Sequence, residues 1–181
     1  MNFEELQQKI GTQIQSDWRQ SKGGGWLHKS AQVERDELIT GNAIVWGQVY
    51  GDAQVYGNAR VYGNARVYGD ARVYGNAQVY GDAQVYGDAW VSGNARVYGD
   101  AQVYGDAQVY GDAWVTSPLF VIGSRYSLTN CKRGHIQIGC ECHTFDWWNE
   151  NGEALAVQQG FTRSEIEEYR AYIELFKKVG K

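Results

Sequence analysis

Residues 51–116 read GDAQVY GNARVY GNARVY GDARVY GNAQVY GDAQVY GDAWVS GNARVY GDAQVY GDAQVY GDAWVT, eleven uninterrupted hexads of the form G-[DN]-A-x-V-[YST]. Within each hexad Ala and Val lie two apart, so a strand turns both to one face and turns x and Tyr to the other. Gly followed by Asp or Asn supplies a corner, because these residues tolerate φ > 0 most readily. A short strand and a turn every six residues cannot bury its own Val alone. The units must therefore coil on one another into a solenoid.

Working outward, an earlier copy at residues 41–46 (GNAIVW) is followed by a four-residue remnant, Gly47-Gln48-Val49-Tyr50. Looser copies flank these at residues 29–34 (KSAQVE), 35–40 (RDELIT) and 117–122 (SPLFVI). In the last, Pro118 replaces Asp and Leu119 replaces the small Ala, as expected of a terminal capping repeat.

These units resemble the hexapeptide repeats of left-handed β-helix proteins, a family that includes the hexapeptide acyltransferases. The resemblance implies a left-handed parallel β-helix in which three hexads make one triangular coil and residues eighteen apart stack. Tyr50, Tyr68, Tyr86 and Tyr104 then form an outward ladder. Asp52, Asp70, Asp88 and Asp106 share one corner; Asn58, Asn76 and Asn94 share the next, ending in Asp112. Stacked like charges disfavour a pure Asp column, although exposure and salt screen much of that. The corner residues read first as turn formers, with a cation-binding or partner-binding edge as the alternative. Trp90 and Trp114 occur in the hexads whose Tyr position holds Ser92 or Thr116, and each is expected to cover the surface left bare.

Either side of the solenoid the pattern changes. Phe3, Leu6, Ile10 and Ile14 recur at helical spacing, predicting an amphipathic helix over residues 2–20 with Asn2 and Glu5 as a capping box. Residues 21–25 (SKGGG) then read as a hinge. In the tail, residues 127–132 and 135–140 bracket Arg133-Gly134 as a β-hairpin. Residues 144–159 read as a helix interrupted at Gly152. Residues 162–179 form a well-marked helix, capped by Thr162 and Glu165, with Phe161 placed to staple onto Ile166. Its charges, Glu165, Glu167 and Glu168 at the start and Lys177 and Lys178 at the end, match the helix dipole. Ile166, Tyr169, Tyr172, Ile173 and Phe176 are its buried stripe. The expected organisation is residues 1–25 as N-terminal helix and hinge, 26–122 as solenoid, and 123–181 as a small α+β unit.

Composition narrows the function classes. Net charge is −4, with 17 Lys and Arg against 21 Asp and Glu, too mild for a nucleic-acid binder. Forty-three per cent apolar and 14% aromatic residues suffice to build a core. No apolar run is long enough for a membrane helix. The acidic start, Met1-Asn2-Phe3-Glu4-Glu5, lacks the apolar run of a secretory leader, so a cytoplasmic protein is expected. The three Cys then read as reduced thiols or ligands.

The acyltransferase resemblance implies a catalytic His near a coil junction and a loop protruding from the solenoid. None of the three His lies in residues 41–116, and the uniform hexads leave no room for the loop. His28 precedes the repeats and reads as a first-coil surface residue. Hexapeptide carbonic anhydrases would require three metal-binding His in mid-solenoid, which this sequence does not hold. The repeats are expected to be scaffold. Cys131, His135, Cys140, Cys142 and His143 are the one cluster with ligand chemistry, sufficient for a tetrahedral zinc. The alternatives are core packing of the thiols or a Cys-His nucleophile pair. Packing is preferred, so no cofactor is expected, with zinc kept open. Gly23-Gly24-Gly25 lacks the context of a phosphate loop. Arg60, Arg66, Arg72 and Arg96, lying among outward Gln and Tyr, could hold nucleic acid by stacking, but seven Asp oppose them in the hexads.

The tail, through Val121-Ile122-Gly123-Ser124-Arg125, Ile138-Gly139-Cys140, Thr144-Phe145 and Glu168-Tyr169-Arg170, resembles the short domain ending many phage and prophage hexapeptide-repeat proteins. Gly25-Trp26-Leu27 resembles their entry segment. This implies a phage or prophage source, a host-cytoplasmic location and a small protein engaging a host or phage macromolecule, for instance by inhibiting a host protein. The expected function is non-catalytic binding through the tail and the Tyr faces. Tyr50, Tyr68, Tyr86, Tyr104, Trp90, Trp114, Tyr169 and Tyr172 are the interface candidates. Self-association as a trimer or dimer is expected alongside an unidentified protein partner. The alternatives are an acyltransferase with a degenerate site, or a small-ligand or nucleotide binder whose pocket lies between tails of an oligomer.

Overall fold

A computed structural model describes residues 1–111, 113–114 and 117–180, the side chains of Ala113 and Trp114 excepted. The hexads build a parallel β-solenoid of about five coils with three faces. One sheet runs through Ile44–Val45, Arg60–Val61, Gln78–Val79 and Arg96–Val97; the second runs from Gln32–Val33 to Gln102–Val103; the third runs from Gln54–Val55 to Gln108–Tyr110. Val61 faces Val79 and Val79 faces Val97, the eighteen-residue stack that the repeats imply.

Ala and Val point inward throughout, and from Ala53 to Val109 none of them is more than 1% exposed. Each strand is only two or three residues long, so coil-to-coil hydrogen bonds are few per hexad. They are nonetheless regular: Gln54 N–H donates to Ala71 C=O at 2.9 Å and Tyr56 N–H to Val73 C=O at 3.0 Å. Stability therefore comes chiefly from the Val column, each buried Val contributing about 1.5–3 kcal/mol.

Two irregularities mark the ends. Ile44 pairs with Arg60 and Gln32 with Gln48, sixteen residues on rather than eighteen, because the remnant at residues 47–50 shortens one coil. At the other end Arg96 pairs with Ala113 and Val97 with Trp114, a seventeen-residue step.

The N-terminal helix, α1 (Phe3–Ile10), is shorter than the residue 2–20 prediction. Its capping box forms as expected, Asn2 Oδ1 accepting from Glu5 N–H at 2.8 Å and Glu5 Oε2 from Asn2 N–H at 2.9 Å. Gly11, at φ +82, ends it, and Ile14 is 69% exposed instead of continuing the apolar stripe. Trp18–Gln20 is a strand, antiparallel to Trp26–His28 at the edge of the first sheet. The SKGGG segment is accordingly the turn of a hairpin and not a hinge; Ser21 Oγ donates to Ile39 C=O at 2.5 Å, and Gly25 is buried against Ile39. Leu6, Trp18, Trp26 and Ile44 close this end.

The expected capping copy SPLFVI also departs from prediction. Phe120–Ile122 pairs antiparallel with Ser127–Lys132 and so starts a four-stranded sheet that continues through His135–Ile138 and Glu141–Thr144. Leu119 and Val121 pack on the tail core, while Phe120 packs on the last solenoid residues. Two helices follow, α2 (Phe145–Gln158) and α3 (Arg163–Val179). Thr144 caps α2 through Trp147 N–H, and the predicted Thr162–Glu165 capping box starts α3. Gly152 does not interrupt α2: a helix-interior Gly costs about 1 kcal/mol without breaking the helix. Among the described residues no helix is long and apolar enough to cross a membrane.

Candidate functional site

The C-terminal sheet has two different faces. Leu128, Ile136 and Ile138 pack against Trp148 of α2 and against Tyr169, Ile173 and Phe176 of α3. The opposite face meets the last coil, where Tyr110 Oη donates to Gln137 Oε1 at 3.2 Å and the Lys132 ammonium lies 6.0 Å from the Tyr110 ring centre. The repeats thus carry the tail on their open end.

Between α2, α3 and the sheet edge lies a cleft of about 370 Å³. Ile138, Trp148, Leu155, Ile166 and Ile173 contribute apolar walls, with Phe161 and Tyr126 at one side. Gly152 and Ala156, four apart on α2, keep it open; a Cβ on Gly152 would lie 3.3 Å from the Trp148 ring. Glu141, Glu153, Arg170 and Glu174 stand among the lining residues as charged groups. Arg170 crosses from α3 to pair with Glu153 of α2. The helical periodicity marked Ile166 and Ile173 only as core positions; nothing local showed that the packing around them stays incomplete.

Tyr169, an interface candidate by sequence, is 5% exposed. Its hydroxyl accepts from the N–H groups of Arg125 and Tyr126 and donates to Tyr126 C=O at 2.8 Å, so it fastens the residue 123–126 turn to α3. Tyr172 is half-buried beside it, with ring centres 6.0 Å apart.

The solenoid candidates are stacked along the coils. Tyr68 and Tyr86 lie 4.9 Å apart with nearly parallel rings, and Tyr86 and Tyr104 lie 5.6 Å apart, ending edge-on against Phe120. Tyr50 instead donates its hydroxyl to Gln32 Oε1 at 2.5 Å. Two further columns, Tyr56–Tyr74 and Tyr62–Tyr80–Tyr98, stack the same way. Burial and the stacked neighbours raise the Tyr62 and Tyr86 hydroxyls above the ordinary tyrosine range. The outward Gln residues have a role that sequence reading missed: Tyr62, Tyr68 and Tyr86 donate to Gln78, Gln84 and Gln102 of the following coil, each at 3.2 Å. Trp90 is 36% exposed, with the Arg72 guanidinium 5.1 Å from its ring centre. The Trp114 side chain and the Asp112 corner lie outside the described residues.

The Asn corner is more than a turn former. Asn42, Asn58 and Asn76 each donate a side-chain amide to the next Asn at 3.1–3.3 Å, ending at Asn94, and Lys9 of α1 reaches Asn58 at 3.0 Å. An amide both donates and accepts, so hydrogen bonds can run along the Asn column, which ionised carboxylates, being acceptors only, cannot form among themselves.

The five residues considered for zinc are not brought together. Cys131 and Cys142 meet, Sγ to Sγ at 2.9 Å, beside Tyr110 on the solenoid side of the sheet. His135 Nδ1 turns to Arg133 C=O at 2.9 Å, His143 stacks on Trp147 at 3.5 Å, and Cys140 is exposed. Among the described residues no group of three or more His, Cys, Asp or Glu could hold a metal ion. Burial pushes the Cys131 thiol up to about 12, and burial together with the two thiols raises the Tyr110 hydroxyl. His28 Nδ1 and Ser30 Oγ are 2.7 Å apart, in an aromatic cluster with Trp18 and Trp46.

Residues 53–69, 65–81, 77–93, 83–99 and 89–105 match the family model described as YdcK Beta solenoid repeat. Searches of curated proteins and of solved structures found no match. Sequence comparison and coil geometry agree that the centre of this chain is a β-solenoid built from hexad repeats.

Proposed function

We propose that this chain is a non-catalytic binding protein in which the solenoid is a rigid scaffold and the C-terminal unit carries recognition. The observation that supports it most is the open apolar cleft between α2 and α3, the kind of concave, largely apolar site that ligands occupy. A face that repeats every coil offers a partner several equivalent registers. A single-copy surface offers one. The resemblance of the tail to phage and prophage proteins favours a host or phage macromolecule as partner. The Tyr columns favour self-association as a dimer or trimer, because a rigid aromatic ladder contributes contact area at low entropic cost.

Affinity capture from bacterial lysate, followed by mass spectrometry, tests the reading. The expected result is a partner retained by the full chain and lost when Ala156→Phe fills the cleft. A catch that is unchanged by that substitution would remove the C-terminal unit as the recognition element. Light scattering at micromolar concentration is expected to give a multiple of 20.4 kDa. A monomer would remove self-association. If Tyr68→Ala with Tyr86→Ala left assembly unchanged, the column would be a stabiliser of the solenoid alone.

A further inference from the structure

We infer that the α2–α3 cleft binds a small organic cation, an apolar ring system bearing one ammonium or amidinium group. This rests on the reading that the C-terminal unit is the part that binds, and it adds the chemistry of the ligand. The volume, about 370 Å³, lies in the range of small-molecule pockets. The Trp148 indole N–H donates to Ile136 C=O at 3.0 Å, so it offers the cleft a ring and no free donor. With Ile138, Leu155, Ile166 and Ile173 around it, the interior suits an apolar body.

The charged lining residues decide the sign. Among the described lining residues Glu141, Glu153 and Glu174 oppose Arg170, with Arg125 at the margin on the Phe161 ring and 3.9 Å from Glu165. Arg170 of α3 pairs with Glu153 of α2. Both members of that pair are about three-fifths exposed, so it contributes little and rearranges readily. Glu141 has the imidazole of His143 at 3.0 Å. Glu174 has no ion pair among the described residues. A cation held in the cleft meets two carboxylates that the Arg170–Glu153 pair does not neutralise, next to a low-dielectric wall where attraction exceeds its value in water. An anion there meets the same two groups as repulsion. Ring faces attract cations, and one face of Phe161 is already taken by the Arg125 guanidinium, 4.4 Å from its ring centre, which leaves the carboxylates as the main source of the preference.

Calorimetric titration of the full chain with three probes sharing one ring tests the inference: 1-naphthylmethylammonium, neutral 1-naphthalenemethanol and anionic 1-naphthylacetate, at matched ionic strength. The ammonium is expected to bind one per chain and to exceed the carboxylate by about tenfold or more, equivalent to about 1.4 kcal/mol. Glu174→Gln should shrink that ratio. Asp88→Asn, on an exposed solenoid corner, changes net charge equally and should leave the ratio alone. Ala156→Phe should abolish binding of all three. Equal affinity for ammonium and carboxylate, or no saturable binding of the ammonium, would overturn the inference. Were Ala156→Phe to unfold, as a melt would show, Glu174→Gln against Asp88→Asn still decides, because neither side chain is part of the core. Naphthylmethylammonium binding with no captured macromolecule would count against the macromolecular partner alone. Capture without naphthylmethylammonium binding would count against the cation site alone.

Discussion

Gly75 and Gly134 share almost the same left-handed backbone, φ +70 and +72, but not the same surroundings. A Cβ on Gly75 would sit 3.1 Å from Gly93 N and 3.2 Å from its oxygen, whereas one on Gly134 meets nothing within 4 Å. Ala at either position adds left-handed strain of about 1–2 kcal/mol. Gly75→Ala should cost about 1 kcal/mol or more beyond that, because the atoms it strikes belong to a stacked backbone that cannot swing aside. Urea unfolding of the two variants checks the difference; equal losses would mean that crowding at the corner is immaterial. Cys131 gives a second residue-scale prediction. The unfolded chain releases the thiol proton from about pH 8.5 upward, while the folded chain holds it to about 12. Across that window the unfolded state binds fewer protons, so stability falls as pH rises and is unaffected below it. Tyr110, raised by burial in the same place, acts in the same direction. Melting temperature should therefore drop between about pH 9 and 11, and Cys131→Ala should flatten the drop in part. An equally steep drop in that variant would acquit the thiol.

Among the elements, the shortened coil has the most specific role. Near-identical hexads are almost degenerate to slips of one unit, so irregular segments must set the register. At the sixteen-residue step Gly47 is buried, and a Cβ on it would lie 2.9 Å from Ala65 oxygen. Trp46 just before it sits 5.3 Å from Trp18 and 5.4 Å from Tyr62, and Asn42 and Lys9 both reach Asn58 across this coil. Inserting Asp-Ala after Gly47 restores a full hexad and should move the α1–Trp18–Trp26 cap out of register, lowering the melting temperature and changing tryptophan fluorescence. Deleting residues 69–86, one whole coil, keeps every column intact and should leave a folded protein. Indifference to the insertion, or collapse on the deletion, would show that register is set elsewhere. The element boundaries also explain two departures from prediction. Residues 18–20 and 120–122 are strands because neighbouring strands recruit them, a long-range effect that overrides local pattern.

At the scale of the whole molecule, the solenoid separates two dissimilar ends, and the non-catalytic function proposed above predicts an outcome for acyl transfer. A general base must come within hydrogen-bond reach of the acceptor it deprotonates, and residues 41–116 contain no His. Millimolar acetyl-CoA should produce no thermal shift and no acetyl transfer to amine or hydroxyl acceptors. A saturable shift that disappears in His135→Ala or His143→Ala would overturn the non-catalytic reading. The thiol and imidazole groups of the tail show how whole-molecule packing redistributes a sequence cluster: Cys131 and Cys142 meet on the solenoid side of the sheet, while His143 lies flat on Trp147.

The eighteen-residue stacking was implied by the resemblance to left-handed β-helix proteins; the sequence by itself determined the solenoid, the inward Ala and Val columns, and the capping boxes of α1 and α3. Each of these rests on a local pattern, and in the repeats the same pattern is written eleven times. Only the tertiary structure decided that residues 18–28 form a hairpin, that SPLFVI leaves the repeats for the C-terminal sheet, and that Cys131 finds Cys142 while the His residues turn elsewhere. It alone placed Gly152 and Ala156 beside Trp148 and Ile173 to leave a cleft. The physical reason is that periodicity reports which face of an element is buried, whereas a single-copy contact or a gap in packing depends on where distant elements come to rest, and no local pattern records that.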